Sequence, residues 1–288
     1  MVTDVVAHSG LSWDLVSDLR QLTSFPFMVH ALEAGTIVAI TAGAIGWLMI
    51  IRRQTFAGHT LSVIAFPGAA AATLAGAPLM VGYFGACGLG ALALARVSGG
   101  STRDRAGESA AIGTVQALGL GLGFLFVSLY SGVLNDLDTL LFGTFLGITS
   151  SQVLVLGVVA AVALAILAVI GRPLLFATVD AQVARAHGVP VTGLSLAFLL
   201  ILGLTVAATA QVTGALLVFA LLVTPAATAQ QVTARPGPAL VLSIGLALAF
   251  TWLGLAIAYF TIYPVGFYVT SISFGTYVAV TLARRAAR

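Results

Sequence analysis

The sequence predicts an all-α fold, a polytopic transmembrane bundle of eight or nine helical spans, and three observations predict it. Of 288 residues, 60% are hydrophobic and only 7% are charged, far from the roughly half-apolar, quarter-charged make-up of soluble domains. Apolar stretches of about 18 to 25 residues recur, the length a helix needs to cross a hydrocarbon layer ~30 Å thick. The alternating polarity over ~10-residue segments that marks a membrane β-barrel does not occur.

Nine crossings follow, at residues 27–51, 58–75, 79–96, 108–129, 151–171, 191–209, 213–233, 239–258 and 266–283. Eleven of the twelve arginines, all but Arg20, fall on one side of this arrangement. The positive-inside rule makes that side the cytoplasm, which places the N-terminus outside and the C-terminus inside. Residues 1–26 carry Asp4, Asp14, Asp18 and Arg20 and lack the basic start and short apolar core of a signal peptide, so they are expected as an extracytoplasmic segment ahead of a transmembrane domain at 27–288.

Three features refine the spans. Between the fourth and fifth, "YSGVLNDLDTLLFGTFLGITS" is too polar at its start and too short after it to cross; an external or re-entrant segment covered by protein or a watery cavity fits better. Gly119, Gly121 and Gly123, and Gly143 with Gly147, are expected where helix backbones approach closely. Thr224 and Pro225 are expected to unwind or kink the seventh span.

Composition also excludes chemistry. Lysine is absent, so no Walker A loop can form, and any ATP that drives the protein is hydrolysed by another subunit. The single Cys87 rules out an intrachain disulfide or a multi-cysteine metal cluster. A net charge of +3 is explained by the arginines between spans rather than by nucleic acid. An intramembrane enzyme would need a His-Glu-x-x-His helix or a Ser/His/Asp set in the spans, and neither occurs.

One stretch breaks the apolar pattern. In "LFATVDAQVARAHGVP", residues 175–190, Phe176, Val179, Val183 and Ala186 recur at helical spacing. Thr178 is placed to cap the helix, Asp180 sits in its first turn, and Arg185 and His187 occupy the last turn, where the helix dipole favours a cation. Gly188 and Pro190 stop it. Such a short amphipathic helix on the arginine-rich side is either held by a partner subunit or laid on lipid.

Residues 176–232, from "FATVDAQVARAHGVP" through "ALLVTPAATAQQV", closely resemble the permease subunits of the zinc/manganese/iron ABC importer family. "ALEAGTIVAITAGAIGWLMIIRRQTFAG" at 31–58, "FPGAAAATLAG" at 66–76 and "DLDTLLFGTFLG" at 136–147 match as well. The ninth span's lead-in, "YPVGFYVTSI", matches only loosely. The resemblance implies a type II ABC importer-like permease: a homodimer in the cytoplasmic membrane, energised by a separate cytoplasmic ATPase and fed by an extracytoplasmic solute-binding protein. A divalent transition metal (Zn, Mn or Fe) would be its substrate, with no permanently bound cofactor. It favours the partner-held reading of the helix at 176–188, with Asp180 and Gly188 as coupling positions and Phe176 and Val179 as its packed face. Val183 joins them by spacing, and Arg185 by position alone. A siderophore or cobalamin-type ABC permease is the nearest rival, and a gradient-driven secondary transporter another, although no internal repeat of the kind such carriers show is visible.

Oxygen or imidazole ligands must replace part of a metal ion's water. Where the family's second span opens with Asp-x-x-Ser-His, this chain reads "HTLSV": His59 stands in place of the aspartate, Ser62 matches, and Val63 replaces the histidine. His59 either faces the pathway or is an interfacial imidazole bonded to nearby backbone, and Pro67 is placed to break its helix. His30 and Glu33, three apart near the outer end of the first span, share one face. They are read as a solvated mouth or a contact to the binding protein, the alternative being an outer waiting site for the cation. Asp136 and Asp138, on the outer side, would raise the local cation concentration.

Overall fold

Prolines open two of the apolar runs, at a helix position that their missing N–H suits: Pro26 begins α1 (Pro26–Ile51) and Pro236 begins α8 (Pro236–Tyr259). Between them lie α2 (Thr55–Leu74), α3 (Leu79–Val97), α4 (Arg105–Leu129), α5 (Ser150–Val179), α6 (Ala181–Ala186) and α7 (Val191–Val232), and α9 (Val265–Ala286) follows. The computed structural model describes residues 24–97, 105–130, 143, 147–261 and 263–286, and among them there is no strand. Among the described residues, eight helical segments are long and apolar enough to cross a membrane, Val191–Ala215 of α7 being one; Leu217–Val232 of α7 is apolar but shorter. Val169 on α5 is 79% exposed and Leu89 on α3 is 71% exposed. Such outward-facing apolar side chains suit a surface solvated by lipid.

α7 is the centre of the bundle, packing against α1, α2, α3, α5, α8 and α9. It is not one span. Ser195, near its start, bonds Arg52 at the end of α1, while Gln231, near its finish, bonds Thr281 beside the arginine-bearing end of α9. Phe25, just before α1, stacks near Tyr259 at the end of α8, so the start of α8, four residues beyond the end of α7, lies level with Arg52. Both ends of α7 therefore lie at the same end of the bundle, and the chain turns back between them at Gly214, whose φ of 73° and ψ of 160° are non-helical. Only glycine adopts such a conformation without strain. The sixth and seventh spans are thus a hairpin joined by one residue.

Several expectations change. α7 passes Pro225 without the expected unwinding, the hydroxyl of Thr228 donating to the Thr224 carbonyl at 2.7 Å, and its non-helical residue is Gly214, just past the expected junction of the sixth and seventh spans. α2 likewise runs through Pro67 without breaking. Of the expected close-contact glycines, Gly123 lies tight against Phe66 and Gly143 against the Thr213–Gly214 turn, while Gly121 faces open space. The contact at Gly143 seats one point of the segment between the fourth and fifth spans on the α7 turn. Asp136 and Asp138, and residues 1–23, lie outside the described residues.

The tightest approach is one the sequence did not single out: Gly46 of α1 lies directly on the Leu222 carbonyl of α7, with no room for a Cβ. The obstacle is backbone and cannot rotate away. Gly46→Ala is expected to cost about 1–3 kcal/mol by overpacking, seen as a lower Tm in detergent, whereas Gly245→Ala, with open space around it, should leave the Tm close to wild type.

Candidate functional site

The charged stretch is built from the length of α5. Its start is fixed by a capping box of Thr149 and Gln152. Its 30 residues extend about 45 Å, against a hydrocarbon layer of ~30 Å. The last turns, bearing Phe176 and Val179, are surplus to a crossing. There the chain breaks: Asp180 is extended (φ −146°, ψ 102°) and caps α6, its carboxylate accepting from the backbone N–H of Gln182 at 2.9 Å and of Val183 at 3.0 Å. The cap is therefore Asp180 and not Thr178, and the stretch is two helices at a corner instead of one. Asp180 won because its short carboxylate reaches two free N–H groups at once. Gly188, at φ 78°, closes α6, with its N–H on the Arg185 carbonyl at 2.9 Å and that of Val189 on the Ala184 carbonyl at 3.0 Å.

Ala184 is the buried residue of α6, whereas Phe176 (40%), Val183 (42%) and Val179 (86%) are exposed. The expected packed face is thus open in the single chain, an apolar ridge at the corner between α5 and α6. His187 braces it from within, its ring edge-on to Phe176 at 5.9 Å and its Nδ1 2.9 Å from the Val183 carbonyl oxygen. Arg185 lies in the last turn of α6 and is exposed.

Behind the corner stands Arg52, which sequence reasoning used only for topology. Its Nη1 donates to Thr178 Oγ1 at 3.0 Å, its Nη2 to Ser195 Oγ at 2.9 Å and its Nε to Gln54 Oε1 at 3.2 Å. Its Cζ lies 5.2 Å from the Phe198 ring centroid, within cation–π range. Burial lowers its pKa from the ordinary arginine value. The partners lie 126 and 143 residues away, beyond the reach of any sequence pattern.

His59 sits one turn into α2. Its ring meets Phe219 of α7 edge-on at 4.8 Å, its Nε2 is 3.2 Å from Gln116 Nε2 of α4, and its Nδ1 is buried without a hydrogen-bond partner among the described residues. Thr60 donates to the Phe56 carbonyl at 2.9 Å and lies 3.5 Å from Gln116 Oε1. A half-turn of the Gln116 amide serves this set better, because amide oxygen and nitrogen are assigned by their hydrogen-bond network. The Gln116 carbonyl then accepts from His59 Nε2–H, the amide donates to Thr60, and Nδ1 keeps its lone pair free. Ser62 is 2% exposed and donates to the His59 carbonyl at 2.7 Å, holding the backbone of that turn. Gln116 was missed, although a lone amide in an apolar span is itself a signal.

His30 and Glu33 do come together, Nδ1 to Oε2 at 3.4 Å, with side chains 30% and 51% exposed. They lie near the start of α1, at the opposite end of the bundle from His59. Glu33 borders a mostly apolar groove of about 820 Å³, lined also by Leu32, Ile37, Leu154 and Trp252. Among the described residues no three His, Cys, Asp or Glu side chains converge on one point. A metal passing either place would keep most of its water or take further ligands from another chain.

The sequence model of the ABC 3 transport family matches residues 24–284. Manganese transport system membrane protein MntC of Halalkalibacterium halodurans is 34% identical over 215 residues, 75% of this chain and 73% of that one. Chelated iron transport system membrane protein YfeC of Yersinia pestis is 31% identical over 242 residues, 84% of this chain and 81% of its own. Among solved structures, PsaBC from Streptococcus pneumoniae in complex with Fab superposes with a TM-score of 0.81 at 26% identity, covering 92% of this chain and 95% of that one.

The cap on α6 is open to test. Asp180→Ala removes both N–H acceptors and should cost about 0.5–2 kcal/mol of local helix stability. Hydrogen exchange should then quicken at 182–187 while α1 and α7 keep wild-type protection.

Proposed function

Because the chain belongs to the ABC 3 transport family, it is the membrane permease subunit of a metal importer and not itself an enzyme, and we propose how its parts serve that task. The arginine-bearing end faces the cytoplasm, with the N-terminus outside and the C-terminus inside. There the corner formed by the end of α5 and α6 is the surface on which a cytoplasmic ATPase docks. The observation that carries this is the exposed ridge of Phe176, Val179 and Val183, an apolar patch at the corner where α5 has run past the ~20 residues a crossing needs. An extracytoplasmic binding protein delivers the ion to the opposite end, where His30 and Glu33 make the outer contact. A second copy of the chain completes the pathway.

The substrate is a divalent transition metal. Relatives named for manganese and for chelated iron support that class and leave zinc, manganese and iron as the ions to compare. His59 Nδ1, free of a hydrogen-bond partner among the described residues, is the pathway contact nearer the cytoplasm. With Val63 where the family has a histidine, it offers one nitrogen where two side chains would otherwise act, which favours a largely hydrated ion held weakly and released fast.

Both parts are tested by transport into proteoliposomes carrying the permease with its ATPase and binding protein, across a panel of divalent ions. Val183→Asp places a charge on the ridge and should abolish retention of the ATPase on co-purification, and uptake with it. His59→Ala should retain the ATPase but raise the half-saturating metal concentration about tenfold, equivalent to ~1.4 kcal/mol. Full retention of the ATPase by the first variant, or wild-type saturation by the second, counts against the corresponding role.

A further inference from the structure

A docked motor does work on the ion path only if its movement reaches the spans, and Arg52 bonds to the chain on both sides of α6. It stands at the end of α1, half-buried, in a chain where few side chains bond one another across helices. Thr178, its first partner, lies two residues before the Asp180 cap, on the last turn of α5. Ser195 and Phe198, its second and third, lie in the first turns of α7, just past the Gly188 turn that ends α6. α6 is thus bracketed on both sides by segments that one guanidinium holds.

The geometry of the acceptors makes this a directed clamp. Thr178 spends its own proton on the Leu174 carbonyl at 2.6 Å, so only its lone pairs are left to face Arg52. Arginine supplies the fork that reaches two oxygens in fixed directions, which a lysine ammonium does not. On the other side, the α1–α2 turn is short. Arg53 takes φ 56°, Gln54 N–H returns to the Met49 carbonyl at 2.9 Å, and Gln54 also accepts from Arg52 Nε. A displacement of Arg52 is therefore passed directly to the start of α2, where His59 lies one turn on.

We propose that Arg52 is the transmission residue of the permease. It ties the two flanks of the docking corner to α1 and, through the tight α1–α2 turn, to the α2 turn that carries His59, so that rotation of α6 by the ATPase repositions the metal contact. Arg52 touches neither nucleotide nor ion; it is a positioning residue. The proposal rests on the reading of α6 as the docking element.

The test separates coupling from folding. Proteoliposomes carrying the complete complex are assayed for metal transported per ATP hydrolysed, comparing wild type, Arg52→Gln, Arg52→Lys and the double variant Thr178→Val/Ser195→Ala, with ATPase co-purification and Tm recorded for each. Arg52→Gln should keep the ATPase bound and lower the transported metal per ATP about fivefold or more, the smallest effect expected of a real coupling link. Lys should restore part of it, and the double variant, which leaves the cation in place but removes its acceptors, should reproduce most of the loss. A variant that fails to assemble leaves the double variant to supply the same ratio. An unchanged ratio in the variants that assemble, with or without a lower Tm, makes Arg52 a structural brace and overturns the proposal. Retention of the ATPase by Val183→Asp overturns the docking reading instead, and does not alter the ratio read from Arg52.

Discussion

A charged side chain at the centre of a bilayer costs ~2.5–3.5 kcal/mol by insertion scales, and that constraint organises this chain more than any single contact. With 7% of its residues charged, it places nearly all of its arginines at one end of the spans and leaves the interior to alanine, glycine and leucine. Small residues then let helices close on one another, as Gly46 of α1 does on the α7 backbone. Packing replaces the hydrophobic drive that lipid removes. A polar group found inside such a bundle is expensive to keep, which is why His59 with Gln116 and the Arg52 clamp stand out from their surroundings.

The same constraint explains why the corner at 176–188 projects. α5, at 30 residues, is longer than a ~30 Å crossing requires, and Val179, Asp180 and Arg185 are all exposed at the corner where it ends. An exposed apolar ridge of this kind is what the proposed docking of an ATPase would cover. Thr178 before the corner and Ser195 beyond it are both held by the Arg52 guanidinium.

Much of this was legible in the sequence, because hydropathy and arginine placement act through local chemistry. The helix boundaries fall within about three residues of those expected, apart from the run of α5 past 171 to Val179 and of the sixth span past 209 to the break at Gly214. What escaped depended on tertiary partners or on competition between neighbours. Thr178 and Asp180 are both good caps, and only the corner geometry decides for Asp180. Pro225 is the stronger breaker by composition, yet its helix holds, while Gly214 carries the reversal because the hairpin needs a positive φ at that point. Asp136 and Asp138 were equally visible in the sequence but lie outside the described residues. Arg52 was read as one more topogenic charge, since nothing within a helical turn of it announces bonds to residues 126 and 143 positions away.

The central claim is that the α5–α6 corner stands in the cytoplasm and is covered by a separate ATPase. The native Cys87 is fully buried, so a cysteine introduced at Val183 supplies a single reactive thiol on the ridge. A membrane-impermeant maleimide, applied from each side of sealed vesicles with and without the ATPase, reads both halves of the claim together. The account predicts labelling from the cytoplasmic side alone, and protection when the ATPase is bound; labelling from the outer side, or labelling indifferent to the ATPase, would contradict it.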